Sequence, residues 1–430
     1  MTAEVTAELG SAPVRRVHPI TPLLRSGLVV LAVGSWLLRN LLEGQSETRA
    51  LLIVPVALLG ALLLGLASWW FTRFRISADE LRIDSGVLVR RQRRVRIERI
   101  QAVEVEQPLL ARLTGMAELR IEVAGGDGAK LAYLSLREAE ALRRTLLEEP
   151  RTGPAPDLSA WQPVLFRVDD GRLLAATFLR SDVVSLVTVV VVAGSVSVVM
   201  AQPGGLAAVF PSAVAAVGVA WKSFTSGYAT TLTRAEHGLR LRAGMLDVRT
   251  QSVPTGRVQG VVVVEPVLWR LLGWARVDVT VAGVGAGEDG DRATGVLVPV
   301  ARRTAIAALL PLVLDGADPA DVSLDGVPRR ARWVDPFGAR VLGAGIGDRL
   351  LVTRRGVVTR RTDVVPLPKP QSLHVAQGPL QRRLRLATVQ VHLPSGPVSA
   401  SAAHRDAGQA WALATTVTAW PRSVPVAPGE

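Results

Sequence analysis

Cysteine is absent from the 430 residues, which removes disulfides, thiolate metal ligands and thiol nucleophiles together. Lysine is almost absent as well: Lys130, Lys222 and Lys369 are its only instances among 50 basic residues. The net charge of +13 is therefore carried by arginine. Such a surplus suits attraction to anionic lipid or nucleic acid, and better still the ordinary cationic inner face of a membrane protein. Tyrosine occurs twice and aromatics total 4%, too little for the stacking platforms of single-strand nucleic-acid binders. His18, His237, His374, His392 and His404 are spaced unlike a metal site. The chain shows no glycine-rich phosphate loop, no serine nucleophile elbow and no carboxylate pair placed for a pocket. No catalytic residue, metal or cofactor is expected.

Apolar residues are in excess, at 49% with a mean hydropathy of +0.30, and they are concentrated in long uncharged runs. Leu51–Phe71 has 21 residues without a charge, enough to cross a hydrocarbon core that needs about 20. It ends in Trp69, Trp70 and Phe71 followed by Arg73 and Arg75, the aromatic belt and positive charge of a cytoplasmic exit. Leu23–Leu42 precedes it, with Arg25 and Arg39 near its ends where they can snorkel, and Glu43–Arg49 is a short polar outer loop. A second pair follows, Val183–Ala201 and Gly205–Trp221, joined at Gln202-Pro203-Gly204. Four spans in two hairpins place both termini and every hydrophilic domain on the cytoplasmic side of the plasma membrane.

Between and after the hairpins one pattern recurs. With a shift of 158, Leu81, Gly86, Val95, Arg99, Gln101, Pro108, Arg112 and Gly115 fall on Leu239, Gly244, Val253, Arg257, Gln259, Pro266, Arg270 and Gly273. With a shift of 270, Leu351, Gly356, Arg361, Val365, Lys369, Gln371 and Arg382 repeat the same positions. Alternating triplets such as Leu81-Arg82-Ile83 and Val103-Glu104-Val105 indicate strands with one buried face. Gly86, Gly244 and Gly356 sit where a hairpin turn needs freedom in φ. Each copy ends in an amphipathic helix, and Ser135-Leu136-Arg137-Glu138 is a capping box that starts the first.

The repeat, with Arg99-Ile100-Gln101 returning as Arg257-Val258-Gln259 and Lys369-Pro370-Gln371, resembles the bacterial pleckstrin-homology (PH) family of membrane-flanked domains. The resemblance covers about Leu28 to Val417. It implies seven-stranded, partly open barrels, each capped by a C-terminal helix and each following a hairpin. Two departures stand out: Arg96 lies where the other copies have Pro254 and Pro366, and the third copy has no hairpin before it. The expected architecture is a multi-pass α-helical membrane protein with mostly-β domains. Its parts are an N-terminal tail (1–22), a hairpin (23–72), a first domain (73–149) and a linker (150–182). A second hairpin (183–222), a second domain (223–314), a tether (315–347), a third domain (348–420) and a tail (421–430) follow.

Arg90, Arg91, Arg93, Arg94 and Arg96 are five cations in seven residues beside the expected hairpin turn, and Arg249 and Arg361 recur there. They are candidates for anionic phospholipid headgroups; a solvated strand obeying the positive-inside rule explains them equally well. Arg99, Gln101, Arg257, Gln259, Lys369 and Gln371 read as a structural motif that fixes turns and register. Trp333 and Phe337 in the tether suit an interfacial anchor or simple packing. The expected function is a non-enzymatic scaffold for protein partners, anionic lipid or self-association. The resemblance adds envelope stress homeostasis as a setting. A small transporter or lipid-handling protein is the alternative, and nucleic acid is not an expected partner.

Overall fold

A computed structural model describes residues 15–16, 73–76, 80–85, 91–96, 100–123, 129–147, 163–199, 216–235, 238–282 and 295–420. The chain divides into two compact units, Met1–Ala155 with Asp247–Arg249, and Pro156–Leu246 with Thr250–Glu430. In the first, β1 (Arg15–Arg16), β2 (Arg73–Ile76), β3 (Glu80–Ser85) and β4 (Arg91–Arg96) form one antiparallel sheet. A meander of β5 (Ile100–Gln107), β6 (Met116–Val123) and β7 (Ala129–Ser135) follows, with helix α1 (Leu109–Leu113) between β5 and β6. Helix α2 (Leu136–Leu147) closes the copy. Its capping box is formed: Glu138 N donates to Ser135 Oγ at 3.3 Å while Ser135 N donates to Glu138 Oε2 at 3.2 Å.

The second unit repeats the plan twice. Its first copy has β8 (Val164–Arg167), α3 (Asp170–Phe178), α4 (Ser181–Val199) and a helix α5 over 216–227. Then come β9 (Thr231–Ala235), β10 (Gly238–Ala243), β11 (Val248–Val253) and β12 (Val258–Pro266). Helix α6 (Val267–Leu271), β13 (Trp274–Val281), β14 (Val296–Arg302) and α7 (Arg303–Val313) complete it. The next copy has β15 (Asp325–Gly326), β16 (Gly343–Ile346), β17 (Leu350–Arg355) and β18 (Thr359–Pro366). It ends with β19 (Ser372–Ala376), α8 (Pro379–Arg383), β20 (Leu386–His392), β21 (Ser401–Asp406) and α9 (Ala407–Ala419). Gly244 and Gly356 turn their hairpins at φ of 113° and 88°, values open to glycine and strained for other residues. Gly86 lies outside the described residues.

The hydrophobic stretches do not precede whole domains. Strand β8 lies before the second hydrophobic stretch and pairs with β9 after it, Arg167 opposite Thr231. Likewise β1 pairs with β2 across 17–72, Arg16 opposite Arg73. The hydrophobic stretch over 23–72 itself lies outside the described residues. In the third copy β15 pairs with β16, Gly326 opposite Gly343, and 327–342 fill the same slot. A helical hairpin returns the chain to its starting point, so it can be inserted between adjacent strands at little entropic cost. Residues 315–347, expected as a tether, therefore contribute two strands and the 3-10 turns Arg329–Trp333 and Gly338–Arg340. The expected linker likewise contains β8 and α3.

Among the described residues no single helix is long and apolar enough to cross a membrane; α3 and Ser181–Val196 pass that test together, bent by 45°. The four-span expectation thus rests on sequence, with 200–215 and the first pair outside the described residues.

The domains are open rather than closed barrels. In the second unit the order is β14-β13-β12-β18-β17-β16-β15, so a meander from one copy and the opening strands of the next form one sheet. Strands β12 and β18 pair antiparallel from Val261 opposite Val364 to Pro266 opposite Thr359. Both faces of this sheet are covered. Val261, Leu350, Val352 and Val364 enter the core of the second copy with Leu232, Val277 and Ile306. Val262, Leu351 and Val365 enter that of the third with Leu367, Val391 and Val417. The uninterrupted run Val261–Val264 is the pattern of a strand buried on both sides. Each such valine or leucine contributes about 1.5–3 kcal/mol by leaving water. Truncating Val364 to alanine should therefore destabilise both copies by about 2 kcal/mol in a single transition. Coincident protease protection of 238–282 and 386–419 through thermal unfolding checks this; separate transitions would contradict it.

Candidate functional site

The arginines singled out in the sequence have different fates. Arg90 lies outside the described residues. Arg91, Arg93, Arg94 and Arg96 occupy β4, opposite Ser85, Ile83, Arg82 and Glu80, with side chains outside the described residues. Arg249, grouped with the first unit, puts Nε 3.2 Å from Glu106 Oε1, which Arg120 also approaches at 3.6 Å. Beside them Glu104 is 1% exposed, and burial pushes its carboxyl from 4.5 up to about 6. Arg361 is half-buried and donates from Nη2 to the Pro397 carbonyl at 2.8 Å. It helps fasten the segment 397–399, where Ser399 N donates to the buried Asp363 at 3.1 Å.

The repeated motif also makes local contacts. Arg99 and the side chain of Gln101 lie outside the described residues. The Arg257 carbonyl accepts from Ala282 N at 2.9 Å and from Gln259 Nε2 at 3.3 Å, while Lys369 Nζ donates to the Gly256 carbonyl at 2.8 Å. Gln371 N donates to His392 O at 2.9 Å. These bonds shape the turns leading into β12 and β19.

A cluster that sequence reasoning missed lies at the end of the β12–β18 ladder. Glu265 is buried at the close of β12 and faces Arg360. Arg303 Nε lies 2.8 Å from its Oε1 and Arg360 Nη1 3.9 Å from its Oε2. Arg270 and Arg354 add charge nearby, and burial and these neighbours lower the pKa of Arg360. Four arginines thus gather where one carboxylate pairs with two of them, leaving an excess of positive charge. The apolar rim is exposed: Leu271 at 79%, Val358 at 62%, with Leu272 and Val357 also outside the core. Charge spacing alone could not reveal this, because Arg270, Arg303 and Arg360 meet only through the pairing between copies.

One hydrogen bond ties this end of the sheet to α3, and three more hold its arginines to carbonyls of the β17–β18 turn and the 327–342 insertion. Trp269 Nε1 donates to the Ala176 carbonyl of α3 at 3.0 Å. Arg270 donates to the Val357 carbonyl from Nη1 at 3.3 Å and Nη2 at 3.4 Å, and Arg354 Nε to that of Val341 at 3.2 Å. Trp269 also packs with Leu173, Ala176, Phe224 and Tyr228 at the base of the helices. Base, arginine cluster, β17–β18 turn and the 327–342 insertion therefore lie together.

A separate cavity of about 230 Å³ is lined by Thr255, Val313, Leu350, Pro366 and Trp420, with Arg349, Asp315 and Lys369 as its charges. Arg349 lies 3.7 Å from Asp315, and Lys369 is committed to Gly256. The lining offers no carboxylate pair or nucleophile-and-base set.

The Bacterial PH domain family matches this chain three times, over residues 26–150, 181–311 and 332–419. The UPF0699 transmembrane protein YdbT of Bacillus subtilis (strain 168) is 21% identical over 275 residues. That alignment covers 56% of this chain and 56% of the relative, so the chain spans about half the length of the curated relative it matches.

Two outcomes follow. Glu104 is neutral in both folded and unfolded chains below 4.5; between 4.5 and about 6 the unfolded chain releases its proton first. Stability therefore falls as pH rises through that window and stays about 2 kcal/mol lower above it. Glu104→Gln should abolish this loss, read as the difference between thermal midpoints at pH 4.5 and 7.5 in detergent micelles. Glu265→Ala should cost about 3 kcal/mol by stranding Arg360 and Arg303, measured by the same melts.

Proposed function

Because this chain belongs to the bacterial PH domain family, matched in three successive stretches, we propose that it is a multi-pass plasma-membrane scaffold without catalytic activity. Two hydrophobic hairpins hold three PH-like domains at the cytoplasmic surface, where arginine-rich ends contact anionic phospholipid. The observation that carries this reading is the Glu265 cluster. Arg270, Arg303, Arg354 and Arg360, rimmed by exposed Leu271, Leu272, Val357 and Val358, share one end of the sheet with the base of the hydrophobic helices. Exposed leucine and valine among cations suit a headgroup layer, where each arginine contributes about 1 kcal/mol at an anionic surface. The relative's name supports the membrane setting.

The transporter alternative gains nothing from α4. Ser185, Thr188 and Ser195 donate their hydroxyls to the carbonyls of Asp182, Val184 and Val191 on their own helix, leaving those protons unavailable to a passing solute.

Full-length protein in nanodiscs tests the lipid contact by hydrogen exchange. Protection of 267–273 and 355–360 should rise with the fraction of phosphatidylglycerol, fall with salt, and be lost in the Arg270→Gln/Arg303→Gln variant. Equal exchange in neutral and anionic discs would exclude the contact. Orientation is tested in the cysteine-free background: Ser46→Cys and Gly204→Cys should react with an impermeant maleimide from outside whole cells, and labelling only after lysis would reverse the topology.

A further inference from the structure

The third copy has an insertion in the slot that the other copies fill with hydrophobic stretches. Residues 327–342 leave after β15 and return at β16, as 168–230 lie between β8 and β9. At 16 residues and with four arginines the segment is too short and too charged to cross a bilayer. Its surface is unusual all the same. Trp333 and Phe337 are each 79% exposed, four residues apart on the paired 3-10 turns. Arg329, Arg332, Pro336 and Arg340 are exposed around them.

The aromatics are outward on a fixed frame. Ala331 N donates to Pro328 O at 2.8 Å, Asp335 N to Ala331 O at 2.9 Å, Leu342 N to Gly338 O at 3.0 Å and Gly338 N to Asp335 Oδ1 at 2.7 Å. Ala331, Gly338 and Leu342 are buried, and Arg330 pairs with Asp406 at the start of α9. The segment thus packs through its small residues and Leu342 while presenting its two large rings to the outside. It does so beside the arginine cluster, because Arg354 binds the Val341 carbonyl where the insertion ends.

We propose that 327–342 is an interfacial membrane anchor, with Trp333 and Phe337 seated in the headgroup layer and Arg329, Arg332 and Arg340 among lipid phosphates. This rests on the reading that the hairpins lie in the bilayer. Tryptophan is favoured at that depth because an apolar body meets a polar edge, and arginine can follow it with its fork in the headgroups. The occupant that fits is therefore a lipid interface, in place of a third hairpin.

Absence of cysteine makes the test direct. Single cysteines at Trp333, Phe337, Val189 and Asp348 in the full chain, reconstituted in phosphatidylcholine–phosphatidylglycerol vesicles, would carry nitroxide labels. Collision with oxygen against a water-soluble nickel chelate reports depth. Val189, on α4, is the membrane control, and exposed Asp348 the water control. Labels at 333 and 337 should show an oxygen-to-nickel ratio severalfold above 348 and below 189. Ratios at 333 and 337 equal to that at 348, with 189 deep, would overturn the anchor and leave the membrane reading intact. A water-like ratio at 189 as well would overturn both. Immobile labels shielded from both reagents would mean a protein partner covers the rings, and the anchor would again fall. In the intact chain, quenching by lipids brominated near the headgroup should drop in Trp333→Phe; unchanged quenching counts against the proposal.

Discussion

The antiparallel pairing of Val261–Pro266 with Thr359–Val364 is the contact on which the second unit depends. It joins two copies by backbone hydrogen bonds, and side-chain alternation then sends Val364 into one core and Val365 into the next. A slip of one residue would exchange these faces and drive Asp363 toward the core that Val364 now fills. The register is further held by polar contacts. Asp363 accepts from Ser399 N on the third-copy side, and Glu265 meets Arg360 where the ladder ends. The same pairing that closes the apolar cores therefore also assembles the cationic cluster.

Much of this was legible in the sequence because local patterns carry it. Alternation marked β3, β5 and β6, the Ser135–Glu138 capping box marked α2, and glycines 244 and 356 marked their turns through positive φ. The opening strand of each copy was not legible. Strands β1 and β15 have two residues and β8 has four, too few to show a period, and an insertion separates each from its partner. The sharing of sheets escaped for a related reason: a valine run says that both faces are covered, but not by what. Arg361 illustrates the limit for charges. Its position beside a turn suggested access to headgroups, and nothing in the charge pattern showed that its Nη2 would also donate to the Pro397 carbonyl.

Inserting helices between adjacent strands changes how a PH-like domain is held. A hydrophobic stretch placed before a domain is a leash; one placed between β8 and β9 has both ends fixed by a strand pair. Helix α3 then packs through Leu173 and Ala176 against Trp269, whose indole binds the Ala176 carbonyl. A buried indole N–H left without that acceptor would cost about 1–3 kcal/mol, so the contact orients α3 as well as covering it. Helix direction, α6 and the arginine cluster are in this way parts of one packed arrangement.

That arrangement explains why the cations of the second unit concentrate where they do. An excess of arginines beside one buried carboxylate is unfavourable in isolation: burial first, and then Arg270, Arg354 and Arg303, lower the pKa of Arg360. Repulsion of this kind is tolerated when an anion completes the set, and is relieved little by water where Leu271 and Val358 crowd the same surface. A lipid surface supplies both missing elements at once, phosphate for the guanidinium groups and an apolar boundary for the leucine and valine side chains. A free phosphate would satisfy only the first. The proposed lipid contact rests on this union of charge and exposed apolar surface, rather than on charge alone.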